Sequence, residues 1–251
     1  MKKLNLYLIT MIMIAIPMLQ SCDDDGYPLD GFVFRMATVR VESGNTYYLE
    51  IDNGQKLWPA ATAIPWYKPV DGQRVWADYT LLSDEIPNTE FAHAIKVNYL
   101  YNVLTKAVED LTAENEEEIA NDPAYIEDMW IGANYLNIQF VINIPINELH
   151  RVSLVENTLN EAPLIDEEGY ICLEYRFNRA DDVYTNVRRS YVSFNLGEYG
   201  PQRLADDAVK GLKVKINSIK NGEKDIVFEY KKDNTEKAVQ LGNDVVNEGT
   251  E

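Results

Sequence analysis

Residues 135 to 146, "YLNIQFVINIPI", decide the fold class. Leu136, Ile138, Phe140, Ile142, Ile144 and Ile146 fall on one parity, while Asn137, Gln139 and Asn143 fall on the other. Strict period two over this length predicts a half-buried β-strand, since successive side chains of a strand point to opposite faces. Pro145 carries no N–H, so that end is expected at a sheet edge or past the ladder. Moving outward, "RVSLVEN", "YICLEYRFN", "SYVSFNL", "LKVKINSI" and "DIVFEYK" repeat the pattern. Asn221-Gly222 between the last two accepts positive φ and marks a hairpin. Short strands spaced by turns predict an antiparallel β-sandwich over residues 129–233.

Upstream, "FVFRMATVRV", "TYYLEI", "QRVWADYTLL" and "AIKVNYLYNVL" read as further strands, separated by turn chemistry at Asp52-Asn53-Gly54 and Asp71-Gly72. Four or five strands in residues 32–106 suit a small OB-like barrel, because closure leaves no exposed edge. The fold class is therefore all-β, a barrel followed by a sandwich. Between them, residues 107–128 hold Glu116-Glu117-Glu118 and no Lys or Arg, which predicts an acidic linker with a short helix and a protease-sensitive joint between Ala113 and Ile126. Calcium is the alternative reading of such acids, but no Asp-x-Asx-x-Asx-Gly loop occurs there or at Asp23–Gly26. Residues 234–251 read as a polar tail.

The amino-terminal end has its own logic. Lys2 and Lys3 precede an apolar run, Leu6 to Leu19, that is too short and too asymmetrically flanked for a transmembrane helix. It has the layout of a secretory signal over residues 1–21. It ends in "LQSC", which resembles a lipobox, so Cys22 is the expected site of lipidation and the anchor to a membrane. Residues 22–31 then form an acidic tether. Asp23, Asp24 and Asp25 repel one another and hold it extended as a solvated spacer, unless they also serve as an address. Once Cys22 is acylated, Cys172 has no partner for an intramolecular disulfide. It alternates with apolar neighbours on the more polar face of its strand and reads as a small filler.

The formal net charge is −18. A chain this acidic repels phosphate backbones, so no nucleic-acid partner is expected. His93 and His150 stand 57 residues apart in contexts that activate neither, and no G-x-S-x-G elbow occurs. No catalytic residue, cofactor or metal site is predicted. Forty-one acids offer many pairs for glycoside chemistry, and none is singled out. The aromatic density of "WPAATAIPWYKP" and "RVWADY" is the better lead. Parity assigns Tyr79 to the core and puts Trp76 on the other face with Asp78. Trp58, Trp66 and Tyr67 are the expected ligand-binding residues, with Trp66 in a loop between prolines.

A lipobox with an acidic follow-on, then "GQRVWADYTLL" (72–82), "IKVNYLYNVLTK" (95–106) and "WIGANYLNIQFVI" (130–142), resembles the NigD-like family of bacterial lipoproteins. The resemblance covers about Tyr27 to Tyr230. It implies an OB-type barrel followed by a β-sandwich and a lipid-anchored place at the outer membrane, with Asp23, Asp24 and Asp25 as the expected sorting signal for the cell surface and a periplasm-facing anchor as the alternative. The family takes its name from a gene neighbouring a bacteriocin, for which immunity was proposed. The expectation is a non-enzymatic, surface-anchored monomer or small oligomer that presents a binding surface to an extracellular protein or glycan. A hydrolase of envelope or dietary polymers and a fimbrial component are the alternatives.

Overall fold

The computed structural model describes residues 32–83, 86–144, 149–160, 162–180, 186–202, 209–230 and 240–241. Residues 1–21, expected to be a secretory signal, and Cys22, Asp23, Asp24 and Asp25 lie outside the described residues. The first domain is a closed barrel of β1 (Phe32–Ser43), β2 (Thr46–Ile51), β3 (Lys56–Thr62), β4 (Arg74–Leu81) and β5 (Phe91–Asn102), hydrogen-bonded in the order β1-β2-β3-β5-β4. Inward residues such as Val39, Leu49, Leu57, Val75 and Val97 are fully covered, and Tyr79 joins them in the core. β3, whose alanines and Pro59 hide it from a propensity reading, runs parallel to β5 with a register shift between Pro59 and Ala61. A shift there fits a residue that cannot donate to the ladder.

The second domain is a β-sandwich. One sheet has the order β15-β14-β13-β11-β10-β7 and the other β6-β12-β9-β8. The strands are β6 (Leu104–Ala107), β7 (Glu109–Leu111), β8 (Tyr125–Gly132), β9 (Tyr135–Ile144), β10 (Arg151–Asn157), β11 (Tyr170–Asn178), β12 (Asn186–Asn195), β13 (Gly211–Ser218), β14 (Gly222–Glu229) and β15 (Gln240–Leu241). The deciding stretch is β9: Leu136, Ile138, Phe140 and Ile142 are buried between the sheets, while Pro145 and Ile146 lie outside the described residues. β13 and β14 form the expected hairpin, with Gly222 at φ +68°.

Three points differ from the sequence reading. Most ladders in the sandwich are antiparallel, but β6 pairs with β12, β7 with β10 and β11 with β13 in parallel. Residues 107–128 are no linker, because β6, β7 and β8 build them into the sheets. One helical turn, α1 (Glu116–Ile119), drops Ile119 onto Leu111 and Val155 in a small fully buried cluster. For β6 and β7 the reason is nonlocal: β12 and β10, which receive them, lie tens of residues downstream, and a local scan for charge cannot see them. Lastly, Gln240–Leu241 in the expected tail pairs with Val227 and Phe228 of β14.

The two domains meet through a buried polar joint. Arg74 at the start of β4 is 0 % exposed. Its Nη1 donates to Thr38 Oγ1 (2.9 Å) and its Nη2 to Asn137 Oδ1 (3.2 Å) across the boundary. Nη2 also sits 2.7 Å from Asp52 Oδ1, off-axis for a hydrogen bond, so this is a contact between charges. The guanidinium lies over the Tyr135 ring, 4.9 Å from its centroid, and Tyr135 donates its hydroxyl to the Gly72 carbonyl (3.0 Å). Ser193 donates to Asn137 Oδ1 (2.7 Å). Gly132 gives the room: a Cβ there would collide with the Asp52 carboxylate. The joint covers the outward side of β1 and β4 near Thr38 and Arg74 and leaves the outward side of β2 and β3 open.

Candidate functional site

On that open side, Lys56 and Trp58 of β3 point outward, because Leu57 between them points into the barrel. Tyr48 of β2 and Phe91 of β5 complete the row. The Trp58 and Phe91 rings lie 5.2 Å apart, tilted by 57°, and Tyr48 meets Phe91 edge-on at 5.7 Å. Such offset and edge contacts are what ring quadrupoles favour, and they hold the rings as one surface. Lys56 Nζ stands 5.2 Å over the Tyr48 ring and is paired with Glu90. That hydrogen bond to Glu90 holds the Lys56 ammonium above the ordinary lysine value. Along the same side Arg40 pairs with Glu50 (2.7 Å). Burial alone would lower the Arg40 guanidinium, but Glu50 outweighs it and the value is raised.

An open cavity of about 400 Å³ adjoins the row, lined by Gln55, Lys56, Pro87, Thr89, Glu90 and Phe91. Local chemistry shapes both of its rims. In the β2–β3 turn, Asn53 Oδ1 accepts from Gln55 N (3.0 Å), Gly54 N donates to the Ile51 carbonyl (2.8 Å), and Gly54 takes φ +85°. Opposite, Thr89 Oγ1 donates to the Ile86 carbonyl (2.9 Å). The result is an open site with Phe91 in its wall, the Trp58 and Tyr48 rings beside Phe91, and one cation and one carboxylate at hand.

Of the expected ligand-binding residues, the structure brings Trp58 to this site and separates the other two. Tyr67 turns inward against Tyr47, 5.8 Å between centroids, and packs on the barrel core. Burial and the neighbouring Tyr67 push the Tyr47 phenol up to about 12, as expected for a ring serving the core. Trp66 is 72 % exposed on the β3–β4 loop, and among the described residues no ring contact ties it to either. Tyr48 and Phe91 were missed. The outward parity of Tyr48 was readable from "TYYLEI", but Phe91 reaches Trp58 only through the β3–β5 pairing.

The remaining candidates are quiet. Cys172 is a half-buried free thiol, its Sγ 3.6 Å from the Tyr170 carbonyl and 3.8 Å from Asp166 Oδ2; burial, then Asp166, raises it. His93 Nδ1 lies 3.2 Å from the Ser83 carbonyl, and His150 meets Phe177 edge-on at 5.7 Å. Among the described residues no cluster of three His, Cys, Asp or Glu side chains is arranged to hold a metal ion.

Residues 36–103 match the NigD-like N-terminal OB domain, and residues 107–230 match the NigD-like C-terminal beta sandwich domain. The chain belongs to the NigD-like family. A protein of unknown function from Bacteroides vulgatus is 28 % identical, with a TM-score of 0.70 over 88 % of this chain and 96 % of its own. A protein described as toxin-related from Parabacteroides distasonis is 33 % identical, with a TM-score of 0.67 over 82 % and 96 %. A NigD-like immunity protein from Bacteroides caccae, 20 % identical, shares the fold at a TM-score of 0.53 over 86 % and 94 %. No functionally curated protein matches the sequence. In the OB-type barrel of this NigD-like chain, Tyr48 and Trp58 of the row stand on strands 2 and 3, the side on which OB folds hold oligomeric ligands, and Phe91 joins them from strand 5.

Proposed function

We propose that this NigD-like chain is a non-enzymatic envelope protein whose barrel binds an extracellular partner on the Tyr48–Trp58–Phe91 face. A neutral oligosaccharide is the ligand this face suits best. Aromatic faces take the C–H side of a sugar ring, while Lys56 and Glu90 supply a donor and an acceptor for its hydroxyls. A chain of net charge −18 excludes polyanions, and a neutral ligand meets no such barrier. The observation that carries this reading is the ring row beside the 400 Å³ cavity. Calorimetric titration of the full chain with neutral oligosaccharides of differing linkage tests it. At least one should bind saturably, and Trp58→Ala should weaken it about 30-fold, the loss of about 2 kcal/mol ordinary for a central aromatic anchor. Equal binding by the variant refutes the assignment.

An immunity-like role, with a protein as the extracellular partner, is the second reading, favoured by the toxin-related name of the 33 %-identical structure. Lipid anchoring through Cys22 rests on the "LQSC" stretch; among the described residues no helix is long and apolar enough to cross a membrane. Display on the cell surface rests on Asp23, Asp24 and Asp25. Replacing all three with alanine should protect the protein from protease added to intact cells, and unchanged digestion would make them a spacer only.

A further inference from the structure

A second surface lies where the barrel meets the sandwich. The outward residues of β1 run Phe32, Phe34, Met36, Thr38, and they pass from well exposed (Phe34 is 56 % exposed) to covered as the strand goes beneath the sandwich. Trp76 stacks on Phe34 with centroids 5.1 Å apart and planes within 2°. Phe34 meets Tyr101 edge-on at 6.0 Å, Tyr101 lies 4.5 Å from Tyr99, and Trp76 reaches Tyr191 of β12 at 5.5 Å. An exposed aromatic row this continuous with a buried interface has the composition of a contact surface.

Beside the row, one sheet has an open margin. β12 pairs with β9 from Asn186 to Asn195, whereas β6 covers its other side only at Val192–Asn195. Among the described residues, Asn186–Tyr191 is therefore laddered on one side only. The outward N–H and C=O groups of such a margin are a template for another strand. The chain leaves β5 at Asn102 and enters β6 at Leu104, so Tyr101 and Tyr191 stand at the point where the covered part of the margin ends.

We propose that this margin takes an extended peptide of another protein as an added strand, in line with β6. Main-chain hydrogen bonds to β12 would give the ladder, and alternate side chains would give selectivity. Apolar or aromatic residues at every second position pack on Phe34, Trp76 and Tyr101. Arg188 is exposed on this margin in a strongly acidic chain, on the parity opposite Tyr191, and an acidic residue on the intervening parity complements it, whereas Arg189, on the aromatic parity, is already paired with Glu127. Charge also argues against a second copy as the occupant, since two chains of −18 repel. This site is separate from the Trp58 face.

The probe is a synthetic peptide of about eight residues, ordinary strand length, alternating valine or tyrosine with threonine and one aspartate. Its partner is the full chain, read by fluorescence anisotropy and amide hydrogen exchange. Saturable binding below about 1 mM is expected, with slowed exchange at Asn186–Tyr191. N-methylation of alternate peptide amides should cost at least about tenfold, and so should Phe34→Ala or Tyr101→Ala. Trp58→Ala should leave peptide affinity unchanged, so either site can fail without the other. Absence of saturable binding, indifference to N-methylation, or unchanged exchange overturns the proposal. A concentration-dependent dimer that the peptide dissociates would assign the margin to a second copy and overturn the choice of partner.

Discussion

Replacing Arg74 with methionine tests the joint directly. The substitution keeps side-chain length and removes the cation that holds Asp52, Thr38 and Asn137 together. Breaking a buried ion pair by removing one partner costs about 3–5 kcal/mol, because the remaining charge is stranded. Asp52 is 25 % exposed and can be partly rehydrated, and Trp130 Nε1 still reaches its Oδ2 (3.4 Å), so the lower end applies. About 3 kcal/mol, divided by a urea dependence of about 2–3 kcal/mol per molar, lowers the midpoint by about 1–1.5 M. The stranded carboxylate is the cause, so Arg74→Met with Asp52→Asn should be more stable than Arg74→Met alone. Urea unfolding of the four members of this cycle measures it. A double variant equal to the sum of the singles, or a midpoint shift under about 0.3 M in Arg74→Met, would refute the account.

Other outcomes follow from single contacts. Burial alone would raise the Glu109 carboxyl, but the Ser153 hydroxyl, Lys106 and Arg151 hold it below its ordinary 4.5. A depressed carboxylate stabilises the fold above the unfolded value and loses that contribution as pH falls through the folded one, so Glu109→Gln should flatten the stability decline below about pH 4.5 in acid titrations. Gly211→Ala sets a Cβ against the Phe228 carbonyl oxygen, which as backbone cannot swing aside; thermal unfolding should show a loss of about 1–3 kcal/mol. Cys22→Ala should leave the circular dichroism unchanged and move the protein out of the membrane fraction, and a variant that still pellets counts against lipidation. Thermolysin should spare residues 113–126 in the native chain, since Ile119 is buried and Ala124 is hydrogen-bonded to both Asn217 and Ile219; a first cut there would restore the linker.

The legible parts of the fold were those written in local periodicity. Leu136, Ile138, Phe140 and Ile142 are buried as their parity requires. The opposite parity misled, however, because Asn137 and Asn143 are buried too. Alternation shows that a strand has two faces and not what will lie on each. Asn137 is covered because Arg74 and Ser193 satisfy it, and such a match between distant polar groups leaves no local trace. The same limit hid the site. Trp58 was readable as a candidate, but Tyr48 and Phe91 reach it through ladders, and Trp66 and Tyr67, adjacent in sequence, face apart.

The joint and the candidate sites follow from one constraint on a five-stranded barrel. Its inward side chains are committed to the core, so every other task falls to the outward ones. The sandwich occupies the outward side near Thr38 and Arg74, where Met36 is covered and the polar residues are buried with partners, Arg74 on Thr38 within the barrel and on Asn137 across the boundary. Phe34 and Trp76 lie at the rim of that contact and remain partly open, while Tyr48, Trp58 and Phe91 lie round the barrel from it. A ligand on the Trp58 face would thus touch a wall that Arg74, through Asp52 at the end of β2, helps to hold in place. Arg74→Met should therefore weaken ligand binding at Trp58 modestly and without touching the ligand, whereas Trp58→Ala should weaken it about 30-fold with a smaller shift of the urea midpoint than Arg74→Met. If both variants moved stability and binding in the same proportion, the face and the joint would be one structural unit, and the barrel's surface would not be divided between them.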